Sequence, residues 1–361
     1  MRVFVCGAEY RNSPGFAIAK RLLAEGHSVA ALSRFRGGGQ SLTNIGIELV
    51  VGDVEDADVQ GQIVKADAVI DAELPRPDTR EKKELARLRP SLLRRTLEGA
   101  DRPLIATSSV DVLGDTGPAP LGEGAPFHAP PKYLGWLPSL DREILQSVGV
   151  RGMVIRPALV YGLSPMPGQR DDIPYPPRGM ETWIALAIQF NQGKYIGSGA
   201  NCWSAVHRDD LADLYCLALE KAGAGTLLNA SSETFSIKEL AEVIHRAFGF
   251  KGEPSSLSLD EARRVTPGTE ADFLNCNRAI SGDLAVRTVG WQPTRPSIMK
   301  EVEELVQLYK ARHILLAYSQ ANLEPWPSQR CSRPNSRPSA GIAQEQSACT
   351  RTKAEAGPFN R

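Results

Sequence analysis

Residues 1–36 read MRVFVCGAEYRNSPGFAIAKRLLAEGHSVAALSRFR, and the stretch Gly7–Gly15, GAEYRNSPG, decides how they fold. Val3–Cys6 is a short, wholly apolar run, the pattern of a strand buried on both faces. Phe16–Glu25 has helical spacing and is closed by Gly26, and Ser28–Ser33 is a second apolar run. Strand, glycine loop, helix and strand open a parallel βαβ unit, whose helix N-terminus offers free N–H groups to a pyrophosphate. The usual G-x-x-G-x-x-G sets the outer glycines six apart; here they stand eight apart with none between. Gly15 opens the helix and lets it approach the strand, the role of the third glycine. Asn12, three residues before it, suits the middle position because Asn tolerates left-handed backbone. Gly7, Asn12, Gly15 and Phe16 are therefore the expected phosphate loop, in stretched form. A plain strand–turn–helix would carry the same pattern, so the neighbours must decide.

The second strand ends in Ser33-Arg34, with Arg36 close by. An NAD site usually places an acid there for the ribose 2′-OH. A hydroxyl and guanidinium groups suit a 2′-phosphate instead, so NADP(H) is the expected cofactor and NAD(H) the alternative. The other reading of Arg34 is an exposed arginine at a strand end.

Further along, Glu48–Val51, Ala68–Asp71 and Leu104–Thr107 are short apolar runs, with a charged, leucine-rich helical stretch at Arg80–Leu97. Gly149 precedes another strand, Gly152–Arg156. Such alternation predicts an α/β chain built on a doubly wound parallel sheet of about seven strands. Residues 1–162 form the dinucleotide-binding domain in this reading, and 163–323 a smaller C-terminal substrate lobe, with a strand near 205–207 returning to the sheet. Leu163–Gly179, which contains SPMPGQRDDIPYPPRG, looks like a flexible surface loop. Thr182–Asn191, Leu211–Lys221 and Phe235–Phe248 look helical, the last with a capping box of Ser236 and Glu239. Residues 324–361 carry few large apolar residues and much Pro, Ser, Arg and Gln, a composition that predicts disorder.

The bulk numbers exclude several classes. With 42 basic and 42 acidic residues there is no global field to favour nucleic acid or an anionic membrane. No run of 18 apolar residues exists, and the N-terminus reads as a strand rather than a signal peptide. Six scattered cysteines (6, 202, 216, 276, 331 and 349) form no C-x-x-C pair, which points away from structural zinc and toward a reduced, cytoplasmic setting.

Taken in order, VFVCGAE, VVGDVEDADV, ADAVIDAE, LIATSSVDVLG, RGMVIRPALVYG, WSAVHRDDLADLYCLALE and GWQPTRPS resemble the extended short-chain dehydrogenase/reductase superfamily. The branch is the NAD-dependent epimerase/dehydratase family, and the likeness runs from Met1 to about Pro296. It implies a Rossmann-like fold, with Asp53 and Val54 bordering the adenine and Ala72 beside the cofactor after the fourth strand. It also implies catalysis by a serine and by the tyrosine and lysine of Y-x-x-x-K. Ser109, five before Gly114, matches the family serine, which hydrogen-bonds the substrate oxygen. Tyr133 lies 24 residues on, near the usual separation, but Leu137 stands where the lysine should be. Lys132 would point roughly 100° away on a helix. Pro138-Ser139 looks like a helix start with Ser139 as N-cap, which leaves Tyr133 in the loop APPKYLGWLP. Without the lysine a phenol stays near pKa 10, about 4 kcal/mol short of a base at neutral pH, though still able to donate a proton. His207 matches a histidine at a strand-to-helix turn, read as structural ahead of catalytic, with Asp209 as the expected helix cap. Arg156 suits substrate contact or packing, Tyr161 suits the core, and Asp111 and Glu123 could approach the pocket.

Two functions fit these residues. One is an NADP(H)-dependent oxidoreductase acting on a ketone or alcohol of a small organic molecule, of the kind met in secondary metabolism, with epimerase or dehydratase chemistry as the same-fold variant. The other is a non-catalytic NADP(H)-binding sensor or scaffold, favoured by the missing lysine. The expected partners are a small-molecule substrate and, for self-assembly, a homodimer, with no nucleic acid, membrane or metal.

Overall fold

The structure, a computed structural model, describes residues 1–311 except 12, 35–38, 75–79, 129, 163–179 and 267. Asn12, Arg36, the loop expected at 163–179 and the tail expected from 324 lie outside the described residues. The elements that follow belong to one compact unit, Met1–Pro325.

The first half alternates as its sequence predicts: β1 (Arg2–Cys6), α1 (Pro14–Ala24), β2 (Ser28–Ser33), α2 (Gln40–Thr43), β3 (Glu48–Val51), α3 (Ala57–Val64), β4 (Ala68–Asp71), α4 (Arg80–Leu97), β5 (Arg102–Thr107), α5 (Leu137–Leu145), β6 (Val150–Pro157) and β7 (Leu159–Tyr161). There follow α6 (Met180–Phe190), β8 (Lys194–Ile196), β9 (Cys202–His207), α7 (Arg208–Lys221), β10 (Thr226–Ala230), β11 (Glu233–Ser236), α8 (Ile237–Phe248), β12 (Ser255–Leu257), α9 (Leu259–Val265), α10 (Glu270–Asn275), α11 (Asp283–Val289) and α12 (Ile298–Ala311).

Seven strands make one sheet in the order β10-β6-β5-β4-β1-β2-β3, and every pairing in it is parallel. Successive strand residues face opposite sides, as a period of two requires. Val3 and Val5 of β1 enter the core beneath α1, α7 and α11, while Phe4 and Cys6 enter the core beneath α3, α4 and α5. Helices thus cover both faces, which is why these strands are apolar throughout. A third core gathers Trp183, Trp203, Phe235, Leu240, Val306 and Tyr309 from α6, β9, β11, α8 and α12.

Strand β9 does not return to the large sheet as expected. It pairs in parallel with β7 (Leu159↔Ala205) and antiparallel with β11 (Phe235↔Trp203) in a separate sheet of three strands. The seventh strand is β10, whose Leu228 lies opposite Ile155 of β6. Both runs are short and apolar, and periodicity is silent on which neighbour each will find.

Helix α5 starts at Leu137, so Ser139 lies inside it and is not its cap. Pro138 is accepted in the first turn because its missing N–H has no partner there anyway. At α8 the capping box of Ser236 and Glu239 forms as its spacing predicts, and Gly249 closes the helix with φ +75°. Among the described residues no helix is long and apolar enough to cross a membrane.

Candidate functional site

The sheet order reverses at β1, which has β2 on one side and β4 on the other. Ligands of open parallel sheets bind at such a switch point, outside the carboxyl ends of the strands. Here those ends carry Gly7 and Ala72, and Ala72 N–H donates to the Cys6 carbonyl at 3.1 Å. A Cβ on Gly15 would stand 2.3 Å from the Gly7 oxygen, so only glycine allows α1 this close to the strand. Gly7 has φ +81°, and a Cβ there would lie 2.7 Å from Glu73 N. Ser13 caps α1, accepting the Phe16 N–H at 3.1 Å, with Pro14 in the first turn. This tight strand-to-helix turn fits a dinucleotide phosphate loop, and Phe16 lies half-buried in its first helical turn.

At the next strand ends, Ser33 is buried and its carbonyl accepts the Gly52 N–H at 3.0 Å. Arg34 is exposed, and its backbone N–H donates to Glu9 Oε1 at 2.6 Å. Asp53 is exposed with its N–H on Asp56 Oδ2 at 2.8 Å, while Val54 is buried. Gly7, Gly15, Ser33, Arg34, Asp53, Val54 and Ala72 therefore all lie at the carboxyl edge of β1–β4 or in the turns that leave it.

A cleft opens beyond β5, lined among others by Ser109, Asp111, Pro157, Trp203, Phe273 and Arg278. Ser109 sits in extended backbone and caps the 3₁₀ turn Val110–Leu113, its Oγ accepting the Asp111 N–H at 3.2 Å. Arg278, more than 160 residues away in sequence, arrives by bonding alongside β9: its N–H donates to the Cys202 carbonyl at 2.7 Å. The guanidinium carbon lies 3.1 Å from the Phe273 ring centre and 5.1 Å from that of Trp203, with Asp111 Oδ1 at 3.5 Å from Nη1. Burial lowers its pKa, and Asp111 and the phenol of Tyr133 are near enough to act against that. Tyr133 is half-buried on a 3₁₀ turn, Lys132–Leu134, and its carbonyl accepts the Trp136 indole N–H at 2.9 Å. Leu137 points into the core, so no lysine occupies that helix position.

Polar side chains at and near the ends of β4, β5 and β6 are buried. Ser108 Oγ donates to Asp141 Oδ2 at 2.7 Å, and Arg156 Nη2 stands 3.7 Å from the same oxygen. Burial pushes the Asp141 carboxyl up to about 6, against the pull of Ser108 and Arg156. Asp71, buried at the end of β4, is held by Arg89 Nε at 2.9 and 3.0 Å, and Arg89 Nη1 also reaches Glu73 Oε2 at 2.7 Å. Burial raises the Asp71 carboxyl, and the charge and hydrogen bonds of Arg89 act against that rise.

Other sequence candidates take structural places. His207 caps α7 with its own Nδ1, accepting the Asp209 N–H at 3.1 Å; Asp209 was the expected cap, and the ring supplies the acceptor instead. That ring also stands edge-on to Tyr161, 5.3 Å between centres, and Tyr161 is buried with its hydroxyl bonded to Glu233 and to the Pro296 carbonyl. Glu123 is engaged by the Asn229 N–H of β10 at 2.8 Å. Sequence reasoning missed Arg278, Trp203, Asp141 and Glu9. Glu9 and Trp203 stand within VFVCGAE and WSAVHRDDLADLYCLALE, but those motifs assign them no role, and only folding brings each of the four to the site.

The family model described as the NAD dependent epimerase/dehydratase family matches residues 14–231. The chain belongs to that family. Among relatives, the uncharacterized protein C2A9.02 of Schizosaccharomyces pombe is 31% identical, across 84% of this chain and 98% of its own. A 3-diazoavenalumate denitrifying reductase of Streptomyces sp. is 27% identical, across 82% of this chain and 97% of its own. The fold of this epimerase/dehydratase family member superposes on dTDP-glucose 4,6-dehydratase from Bacillus anthracis, in complex with NAD. The TM-score is 0.65 at 16% identity, covering 87% of this chain and 98% of that one. UDP-glucuronic acid 4-epimerase from Bacillus cereus gives a TM-score of 0.64 at 16% identity, covering 86% and 100%.

Proposed function

We propose that this family member is a nicotinamide-dinucleotide-dependent oxidoreductase that acts on a ketone or alcohol of a small organic molecule held in the cleft beside Ser109. The observation that carries the reading is the convergence of Ser109 and Arg278 in one cleft beyond β5, which Leu74, just past the end of β4, also lines. The bound dinucleotide supplies or accepts the hydride. Gly7, Gly15 and the N-terminus of α1 hold its phosphates, Ala72 borders it, and Asp53 and Val54 take the adenine side. Ser109 donates its O–H to the reacting oxygen while its Oγ goes on accepting the Asp111 N–H. Arg278, packed between Trp203 and Phe273, holds the substrate's polar end while the rings cover its apolar face. Tyr133 supplies a proton as an acid. Similarity to a 3-diazoavenalumate denitrifying reductase favours reduction over epimerisation.

The cofactor in this reading is NADP(H), with Arg34 on the 2′-phosphate and Ser33 nearby, and NAD(H) as the alternative. The buried Leu137 at the lysine position favours a second reading, a protein that binds the dinucleotide without turnover. Fluorescence titration with NADPH and NADH tests the first step. A charge-assisted contact is worth about 1.5–3 kcal/mol, so Arg34→Ala should weaken NADPH about tenfold or more and leave NADH nearly unchanged. Equal losses, or tighter NADH binding by the wild type, would overturn the NADP(H) assignment. Hydride transfer to a carbonyl panel then separates enzyme from sensor.

A further inference from the structure

The stretched loop Gly7–Gly15 carries an acid, Glu9, two residues past the first glycine. Its carboxylate does not face open solvent alone: Oε1 accepts the backbone N–H of Arg34, the first residue after β2, at 2.6 Å. That contact ties the phosphate loop to the strand end where a dinucleotide site meets the adenosine ribose. In the usual NAD site the acid that reads the 2′-OH stands on the second strand's own end. Here that end offers Ser33, which is buried, and Arg34. The acid comes instead from the neighbouring loop. Parallel pairing makes this reach short, since Val5 of β1 lies opposite Ala31 of β2.

We propose that Glu9 is the residue that reads the 2′ position of the cofactor ribose, resting on the reading that a dinucleotide binds this edge. A 2′-hydroxyl can donate to the Glu9 carboxylate where it stands. A 2′-phosphate meets a like charge there and has to displace it from the Arg34 N–H before using that donor itself. Glu9 and the Arg34 guanidinium therefore pull in opposite directions. The carboxylate holds the anion's place in the free protein, and the balance of the two sets which cofactor is taken.

Glu9→Gln tests this directly, because the amide oxygen can still accept the Arg34 N–H while the charge is gone. Dissociation constants of NADPH and NADH, measured by calorimetry on the full chain, are expected to shift their ratio toward NADPH by tenfold or more. Glu9→Asp, which withdraws the carboxylate by one methylene, is expected to move the ratio the same way by a smaller factor. It serves as the measurement if the glutamine variant melts below the wild type. A ratio changed less than twofold in both variants, with both cofactors still bound, would overturn the role of Glu9 and leave the dinucleotide reading standing. Failure of the wild type to bind either cofactor would overturn both.

Discussion

Ser109 Oγ accepts the Asp111 amide proton at 3.2 Å while the residue lines the cleft, so it serves the local turn and remains positioned for a ligand. Its place at a strand end is rigid, whereas Tyr133 sits on a one-turn 3₁₀ segment with Leu137, not a lysine, four residues on. A preorganised hydrogen bond to a developing oxyanion is worth about 3–4 kcal/mol, so Ser109→Ala should lower turnover by about a hundredfold or more. Tyr133→Phe should cost less, because proton transfer depends on hydrogen-bond reach. Steady-state kinetics on a carbonyl substrate decides; a mild serine effect beside a dead phenylalanine variant would invert the two roles. Asp141 makes a different prediction at this scale. Its carboxyl is raised from 3.8 to about 6 in the folded protein. Between those values the unfolded chain has released a proton that the folded chain keeps. The stability this group contributes is therefore full below about pH 4 and lost as pH rises through 6, on the order of 3 kcal/mol. Urea unfolding from pH 4 to 7 should show wild type losing stability relative to Asp141→Asn across that window. Parallel curves would refute it. The identity of Ser109 as a candidate was legible in TSSVDVLG. Arg278 and Glu9 were not, because neither stands at a spacing that chemistry demands.

Among the elements, the β1–α1 turn is the most constrained. Gly15 has no room for a side chain, since the obstructing atoms are Gly7 O at 2.3 Å and Gly7 C at 2.6 Å, both backbone. Gly15→Ala should therefore destabilise the fold by about 1–3 kcal/mol, the usual range for overpacking, and weaken dinucleotide binding as the helix shifts. A melting curve and a cofactor titration check the two effects; an unchanged melting temperature would show that α1 can slide. The sequence disclosed this glycine's function because close approach leaves a residue signature. It was less informative about α5. Ser139 satisfies the rules for an N-cap, but Pro138 fits the first helical turn as well as it fits a loop. Tertiary packing of Leu137 into the core settles the choice. At α7 the ring of His207 performs the capping that an aspartate two residues later seemed suited to.

For the molecule as a whole, the segment after α11 is fastened to α7 by a single buried acid. Asp210 accepts the N–H of Thr294 at 3.0 Å and of Arg295 at 3.1 Å, and its own carbonyl takes the Trp291 indole N–H at 2.8 Å. The motifs HRDD and GWQPTRPS, eighty residues apart, are thus two halves of one clamp. Asp210→Ala should cost about 1–3 kcal/mol for each amide left without a partner. Thermal unfolding of the full chain measures it, and a loss within error would mean that water replaces the carboxylate.

The sequence by itself determined the parallel α/β architecture, the close approach of helix to strand at Gly15 and the capping box of α8. Each of these follows from period, spacing or a local hydrogen bond within a few residues. Only the tertiary structure decided that β10 rather than β9 completes the large sheet, since both runs bury the same kind of surface and differ in their partner. It alone brought Arg278 beside Ser109 and set Glu9 against Arg34. Those contacts join residues from separate strand ends, and their free energy depends on burial and charge at a place that no local pattern encodes.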